Sequence, residues 1–497
     1  MPLDKRAVKI RLSNLGAMIL IGWISGCTVG PNYKKPAAPV AAKWDVEEPF
    51  REAAPKDAVP KTTWWNVFHD DELNVLETDL LAANQTLKLS LAHYQQARAS
   101  AAVQNATLFP TLGVAPTAER QRYSANRATG SNRAIAATVT QNSWTIPFTV
   151  SYEVDLVGQR RRTIEAAQAS LQANAADFEN VRLILTAELA ADYFSLRQLD
   201  TQIALLLRTV NTLQKGLDLV NSRHQGGVAS GLDVAQEETL LNATRTQATL
   251  LRQQRKQFED AIAVLTGRAA PDFHLPGREL SAEPPNLDTS LPSDLLERRP
   301  DIAEAEREMA VANAQIGIAK AAYYPSLLLY GQGGWNSAKI SQLFNAESSV
   351  WAIGANLAES IFTGGARRAQ VQFSQAGYEA TVASYRGTVL GAFQEVQDNI
   401  TGLEVLHNAQ VSQAQAVDAS QRQLDIATSR YVGGLVNYLD VVSAQQNLLT
   451  NQQEAAIIHG QRLVTAVLLV KALGGGWDAA SLAGVQEKPH LKDIAAP

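Results

Sequence analysis

One cysteine stands in the 497-residue chain, which excludes a disulfide framework, a CxxC redox pair and any multi-cysteine zinc or iron–sulfur site. Long apolar runs are also scarce. With 46% hydrophobic and 19% charged residues and a mean hydropathy of −0.13, the composition is that of a folded protein and leaves no room for a bundle of membrane-spanning helices. Three methionines offer little for a thioether copper route. A net charge of −5 and a pI near 5.9 lack the basic excess of a nucleic-acid binder. The glycine turns lack the GK[ST] of a phosphate loop, and no Ser/His/Asp or paired-carboxylate set can be placed on one site. His69-Asp70-Asp71-Glu72 has no defined metal-ligand spacing and fits the acidic start of an amphipathic helix. The chain is expected to be no enzyme and to need no cofactor or metal.

What is present begins with an address. Lys5, Arg6, Lys9 and Arg11 precede an apolar stretch from Leu15 to Ile24 that is too short to span a bilayer, the pattern of a signal peptide over residues 1–26. It ends in Ile24-Ser25-Gly26-Cys27, which resembles a bacterial lipobox and makes Cys27 the expected lipidation site. Removal of residues 1–26 leaves 40 basic and 48 acidic residues, a charge of −8. An aspartate after the cysteine favours inner-membrane retention in lipoproteins of this type. Thr28 holds that position here, so the resemblance implies the outer membrane.

Length alone suggests about three domains, but the chain repeats itself. The segment Arg223-His-Gln-Gly-Gly-Val-Ala-Ser-Gly-Leu-Asp-Val234 matches Arg430-Tyr-Val-Gly-Gly-Leu-Val-Asn-Tyr-Leu-Asp-Val441 at an offset of 207 residues, and Gly158-Gln-Arg160-Arg161 matches Gly365-Ala-Arg367-Arg368 at the same offset. Leu108-Phe109-Pro110 matches Tyr323-Tyr324-Pro325 at 215. These offsets predict a tandem duplication. Residues 27–62 form a Pro-rich extended tether, 63–267 the first repeat, 268–290 a linker, 291–476 the second repeat and 477–497 a tail.

Within each copy the period switches. Trp144, Ile146, Phe148, Val150, Tyr152 and Val154 alternate with polar residues, which predicts a strand over 142–155 with one apolar face. A weaker strand follows Pro110. Copy two repeats the hairpin with Ser326 to Trp335 and Trp351 to Ile361. Strands of about 9–11 residues with terminal aromatics suit a membrane β-barrel. Four strands cannot close one, and an open edge in lipid leaves backbone groups unpaired, so the barrel must be shared; two, three or four protomers satisfy the strand count. Ile164, Leu171, Phe178, Leu185, Leu199, Leu206 and Leu213 recur at steps of seven, broken at Asp192, beside a ladder of Leu189, Leu196, Ile203, Val210 and Leu217. That predicts a left-handed coiled-coil helix of about 96 Å, with helices over about 85–109 and 232–266 stacked end to end beside it. Val371, Tyr378, Tyr385, Val396, Leu403, Val417 and Leu424 repeat the ladder in copy two.

Four motifs carry a family resemblance: Cys27-Thr-Val-Gly-Pro-Asn-Tyr-Lys-Lys-Pro36, Trp64-Trp65 with Phe68 and Asp70, Leu295-Leu-Glu-Arg-Arg-Pro-Asp-Ile302 with Ala305-Glu306, and Ala472-Leu-Gly-Gly-Gly-Trp477. Together they resemble the TolC-like outer-membrane efflux lipoproteins, the OprM/NodT group. The resemblance implies a homotrimer whose three chains supply a twelve-stranded β-barrel continuous with a long periplasmic α-barrel. It further implies the exit duct of a tripartite efflux system of the RND type, fed with drugs or other small molecules by a periplasmic adaptor and an inner-membrane transporter. The repeated turns become the periplasmic tips, with Arg223, Gly226, Gly227, Asp233, Gly433 and Gly434 as adaptor contacts. The family aperture has Arg and Tyr before the second turn, Leu after it and Asp four residues on. Arg430, Tyr431 and Leu439 match, but Ser443 stands at the Asp position, so Asp440 is expected to substitute in an inter-protomer latch with Arg430 and Tyr431. A structural or adhesive coiled-coil lipoprotein would neither conduct nor bind an adaptor. A type I protein-secretion duct would generally lack the lipobox and the Gly-Pro-x-Tyr segment.

Overall fold

The computed structural model describes residues 28–40, 63–124, 138–285, 295–477 and Leu482. The signal segment, Cys27 and the remainder of the tail lie outside the described residues. Five strand segments form one antiparallel sheet: β1 (Thr111–Val114), β2 (Thr117–Tyr123), β3 (Val139–Val154), β4 (Ser326–Ser337) and β5 (Ser349–Ala358). Both β1 and β2 pair with β3, so they are one strand interrupted at Ala115-Pro116, where proline has no N–H for the ladder. Among the described residues this gives four strands, in the order β1/β2, β3, β4, β5. Strand β3 begins earlier than its apolar alternation suggests. There it pairs with Glu119, Arg120, Gln121 and Arg122, and a ribbon polar on both faces leaves no period-two signal in hydrophobicity.

The register aligns one apolar face. Ile146 faces Trp335, Phe148 faces Gly333, Val150 faces Gly331, and on the other side of β4 Trp351 faces Gly333 and Ile353 faces Gly331. Bulky side chains of β3 and β5 thus flank the two glycines, and Phe148 meets Trp335 edge-on at 6.4 Å. Trp351 is 80% and Ile353 83% exposed, which in a folded chain marks a surface meant for another apolar phase.

The helices are α1 (Asp71–Ala83), α2 (Gln85–Ala106), α3 (Gln159–Gln225), α4 (Gly231–Leu265), α5 (Pro300–Ala321), α6 (Ala366–Val432) and α7 (Tyr438–Ala472), with a single helical turn at Leu295–Arg298. Both α3 and α6 have 67 residues, about 100 Å of helix. The ladder on α3 is buried: Leu171, Leu189, Leu196, Leu206 and Leu213 are nearly inaccessible. Asp70 caps α1, accepting from the N–H groups of Glu72 and Leu73, so the acidic run is a helix start. Trp64, Trp65 and Phe68 enter the main core with Tyr193 and Phe194, and Trp64 donates to Thr186 Oγ1 at 3.2 Å.

Short helices are joined end to end by the same device in both copies. Buried Asn84 precedes α2; its Oδ1 accepts from Leu87 N–H at 2.9 Å while its Nδ2 donates to the Leu265 carbonyl at the end of α4 at 2.8 Å. In copy two Arg299 precedes α5 and donates to the carbonyl of Ala472, the last residue of α7, at 3.0 Å. Gly267 and Gly474, again 207 apart, both have positive φ (70° and 91°) and sit against Ala83 and Arg298 respectively, where a side chain would collide. One column therefore runs α4–α2 and another α7–α5.

The layers follow the sheet order. Helix α3 packs against α2, α4, α5 and α7, whereas α6 packs against α5 and α7. Although α3 and α6 are equally long, α3 buries 24 residues and α6 eight. The sheet has free edges at β1/β2 and β5, and the helix layer is uncovered at α6 on the β5 side. Among the described residues α7 alone is long and apolar enough to cross a membrane, yet its face is spent on α6 and α3.

Asn84→Ala strips a buried carbonyl and an N–H of their shared partner, a loss of about 1–3 kcal/mol. A clear fall in thermal midpoint, followed by far-UV circular dichroism, is expected. An unshifted midpoint would show that the joint contributes nothing.

Candidate functional site at the helix turns

The α3–α4 and α6–α7 turns are built alike. Val228 N–H donates to Arg223 O at 2.8 Å and Gly227 N–H to His224 O at 2.9 Å; Leu435 N–H donates to Arg430 O at 2.9 Å and Gly434 N–H to Tyr431 O at 3.0 Å. Each is a Schellman turn, which requires a left-handed residue at its centre. Gly227 and Gly434 supply it, with φ of 73° and 72°. Gly226 and Gly433 have φ near −77° and could carry a side chain, so the first glycine of each pair is not needed for the reversal.

The returning helices start differently. In copy one Ser230 and Asp233 close a capping box: Asp233 N–H donates to Ser230 Oγ at 3.2 Å and Ser230 N–H to Asp233 Oδ2 at 2.9 Å. In copy two Asn437 replaces Ser230 and its side chain makes no cap. The Asp440 carboxylate, equivalent to that of Asp233, is exposed and has no partner among the described residues, and the same holds for the Arg430 guanidinium. Leu439 is exposed and Ser443 half-buried one helical turn on.

Tyr431 is engaged differently from the expected latch. The Arg223 guanidinium lies 4.9 Å from the centre of its ring, and Tyr438 packs on it at 4.8 Å. Residues placed by sequence reasoning on two separate tips thus meet in one contact between copies. Beneath them Leu213, Leu217, Val220, Leu240, Leu241, Tyr438, Val441 and Val442 form a local core.

A buried acid in that core escaped sequence reasoning. Glu237 on α4 is fully buried; neither carboxylate oxygen has a hydrogen-bond partner of good geometry, although the Tyr438 hydroxyl stands against it. Burial pushes its carboxyl up from the usual range, and the Tyr438 hydroxyl offsets part of that. Its signal was Gly216, an isolated glycine inside α3 close to the tip: a side chain there would strike Glu237 Oε1.

At the opposite end, Thr28–Asn32 dock where β3 passes into α3. Val29 N–H donates to Val157 O at 2.9 Å, and Arg162 reaches Asn32 Oδ1 at 2.8 Å. Tyr33 donates to Glu306 at 2.7 Å. The part of the expected tether nearest Cys27 is therefore a fixed strap, because its Gly-Pro-Asn-Tyr residues each find a partner on the wall.

Glu237 has the raised carboxyl of a group that binds its proton more tightly folded than unfolded. Its contribution is full below the unfolded pKa and is lost as pH rises through the folded one. Glu237→Gln is therefore expected to raise the thermal midpoint at pH 8 and to leave it nearly unchanged at pH 4. Equal shifts at both pH values would contradict the burial.

The family model for outer membrane efflux protein matches residues 76–268 and 291–475. Outer membrane protein OprJ of Pseudomonas aeruginosa is 32% identical over 469 residues, covering 93% of this chain and 96% of OprJ. The toluene efflux pump outer membrane protein TtgF of Pseudomonas putida is 32% identical, covering 92% and 95%. Among solved structures, the outer-membrane channel OprN superposes with a TM-score of 0.82 at 25% identity over 91% of this chain and all of that one. The open state of the Neisseria gonorrhoeae MtrE outer membrane channel gives 0.77 at 26% identity over 91% and 99%. With both repeats matched, a sheet whose apolar face is turned outward and helices about 100 Å long below it, this chain belongs to the outer membrane efflux protein family and is an efflux channel of the outer membrane, extending into the periplasm.

Proposed function

We propose that three copies of this chain form the exit duct of a tripartite pump of the RND type, which passes drugs or other small molecules from a periplasmic adaptor and an inner-membrane transporter to the exterior. The observation that carries this reading is the pair of open sides. The sheet ends in unpaired edges at β1/β2 and β5, and α6, on the β5 side, buries only eight of its 67 residues. A strand edge in hydrocarbon has no water to satisfy it, so a neighbouring copy that pairs β5 with β1/β2 also covers α6. Three chains give twelve strands, an even number within the range of bacterial barrels.

The anchor fits the same picture. Thr28 lies against Gly158, four residues beyond the end of β3, which holds the start of the strap beside the barrel, as a lipid anchor one residue earlier in the chain requires.

At the tips, Arg430 and Asp440 are the charged pair left over for contacts between protomers, since Asn437 has released Asp440 from capping and Tyr431 is held by Arg223 and Tyr438. Around a three-fold axis, Arg430 of one copy offsets the mutual repulsion of three Asp440 carboxylates. Asp440→Ala is expected to raise single-channel conductance in planar bilayers several-fold. An unchanged small conductance would remove Asp440 from the aperture.

Val228, Leu232 and Leu435 stand 69%, 66% and 72% exposed at the tips, an apolar rim suited to a partner's helical hairpin. A photo-crosslinking residue at Leu435 in intact cells is expected to capture a periplasmic adaptor, identified by mass spectrometry, and through it the transporter. Recovery of no adaptor would overturn the tripartite reading.

A further inference from the structure

The two copies diverge at the corner where the last strand of each enters its long helix. Copy one is internally neutralised. Arg160 pairs with Glu153, and Arg161 with Asp155 through its backbone N–H at 3.0 Å and its Nε at 3.1 Å. The chain's own Thr28 covers Gly158. Copy two keeps both arginines, Arg367 and Arg368, in the first turn of α6. Arg367 pairs with Glu359 at 2.9 Å. Phe362 occupies the position of Asp155, 207 residues on, so Arg368 has lost its carboxylate. Among the described residues Arg368 has no hydrogen bond or ion pair. Around Gly365, the counterpart of Gly158, nothing lies within 4 Å of an added side chain.

A cation in the first turn of a helix opposes the helix dipole, and copy one offsets that cost with two carboxylates. At Arg368 the compensating anion is missing. Seven and six residues before Arg368 in the chain, just past the end of β5, Ile361 and Phe362 are 99% and 89% exposed. The register of that face places the hydrocarbon along Trp351, Ile353 and Leu357, so Ile361 and Phe362 lie at its periplasmic boundary and Arg368 at headgroup depth. An apolar pair beneath the acyl region followed by an unneutralised guanidinium matches the two ends of one molecule.

We propose that the corner formed by Ile361, Phe362 and Arg368 binds an anionic phospholipid of the periplasmic leaflet, its phosphate on Arg368 and its chains on the two apolar side chains. The lipid takes in copy two the place that the N-terminal strap takes in copy one. The inference rests on the trimeric barrel proposed above, in which the lipid-facing side of this corner stays open when the next copy pairs with the edge of β5, and it is independent of which pump the channel serves.

The test uses the full mature protein purified in detergent, offered equal amounts of phosphatidylglycerol and phosphatidylethanolamine, with retained lipid read by native mass spectrometry. The wild-type protein is expected to retain phosphatidylglycerol in preference. Arg368→Gln should lower that retention about fivefold, the effect of one basic residue at an anionic surface. Phe362→Asp, which restores the carboxylate found in copy one, should lower it similarly, while Arg208→Gln on the exposed mid-wall should not. Unchanged phosphatidylglycerol retention in both corner variants, or equal retention of the two lipids by the wild type, would overturn the proposal. Glycerol phosphate competing as well as the intact lipid would also overturn it, because Ile361 and Phe362 would then contribute nothing.

Discussion

A helix end is a row of unpaired backbone groups, and a wall about 100 Å tall assembled from pieces must hide such ends inside itself. The molecule does this twice with one arrangement. The last carbonyl of a 35-residue helix accepts a bond from the side chain that precedes a 22-residue helix, and a left-handed glycine turns the intervening chain away. Because Asn84 and Arg299 close these joints, α4–α2 and α7–α5 act as continuous columns that match α3 and α6 in length. The sheet above, the tips below and the order of the layers all inherit their alignment from that match. The glycine is as necessary as the capping side chain, since any Cβ at Gly267 or Gly474 would push the two helices apart.

Duplication supplies a shared skeleton, and a few replacements give the halves different work. Asn437 for Ser230 opens a capping box and exposes Asp440. Phe362 for Asp155 exposes Arg368, and Ala369 for Arg162 removes the arginine that in copy one grips the N-terminal strap. In the first two cases copy one spends its polar groups internally and copy two turns the equivalent group outward; in the third copy two lacks the group. The same asymmetry holds on the large scale, where α3 is surrounded within its own chain and α6 presents a face to a neighbour.

Much of this was legible in the residues. The two seven-residue ladders on α3 named ten of its 24 buried residues, because a side chain that recurs every two turns stays on one side, whereas Tyr193, Phe194, Arg197 and the buried alanines carry no such period. Alternation from Trp144 to Val154 located the membrane face for the same reason with a period of two. The polar ribbon of β2 with the start of β3 was not legible, since strands wet on both faces leave no period in hydrophobicity. Glu237 was hidden among Gln236 and Glu238. Only the hole left by Gly216, on another helix, distinguishes it.

The sequence by itself determined the duplication, the length of the helices, the two turns and the alternation of the strands, because each is a local pattern enforced by covalent spacing and backbone geometry. It also made a lone monomer untenable, since four strands leave edges that lipid cannot satisfy. Tertiary structure alone decided which distant groups meet: Arg223 on Tyr431 across the two copies, Asn84 on Leu265 within the first, and Thr28 of the strap on Gly158. Contacts between residues up to about 200 positions apart depend on how two long columns are set side by side, and no local periodicity encodes that offset.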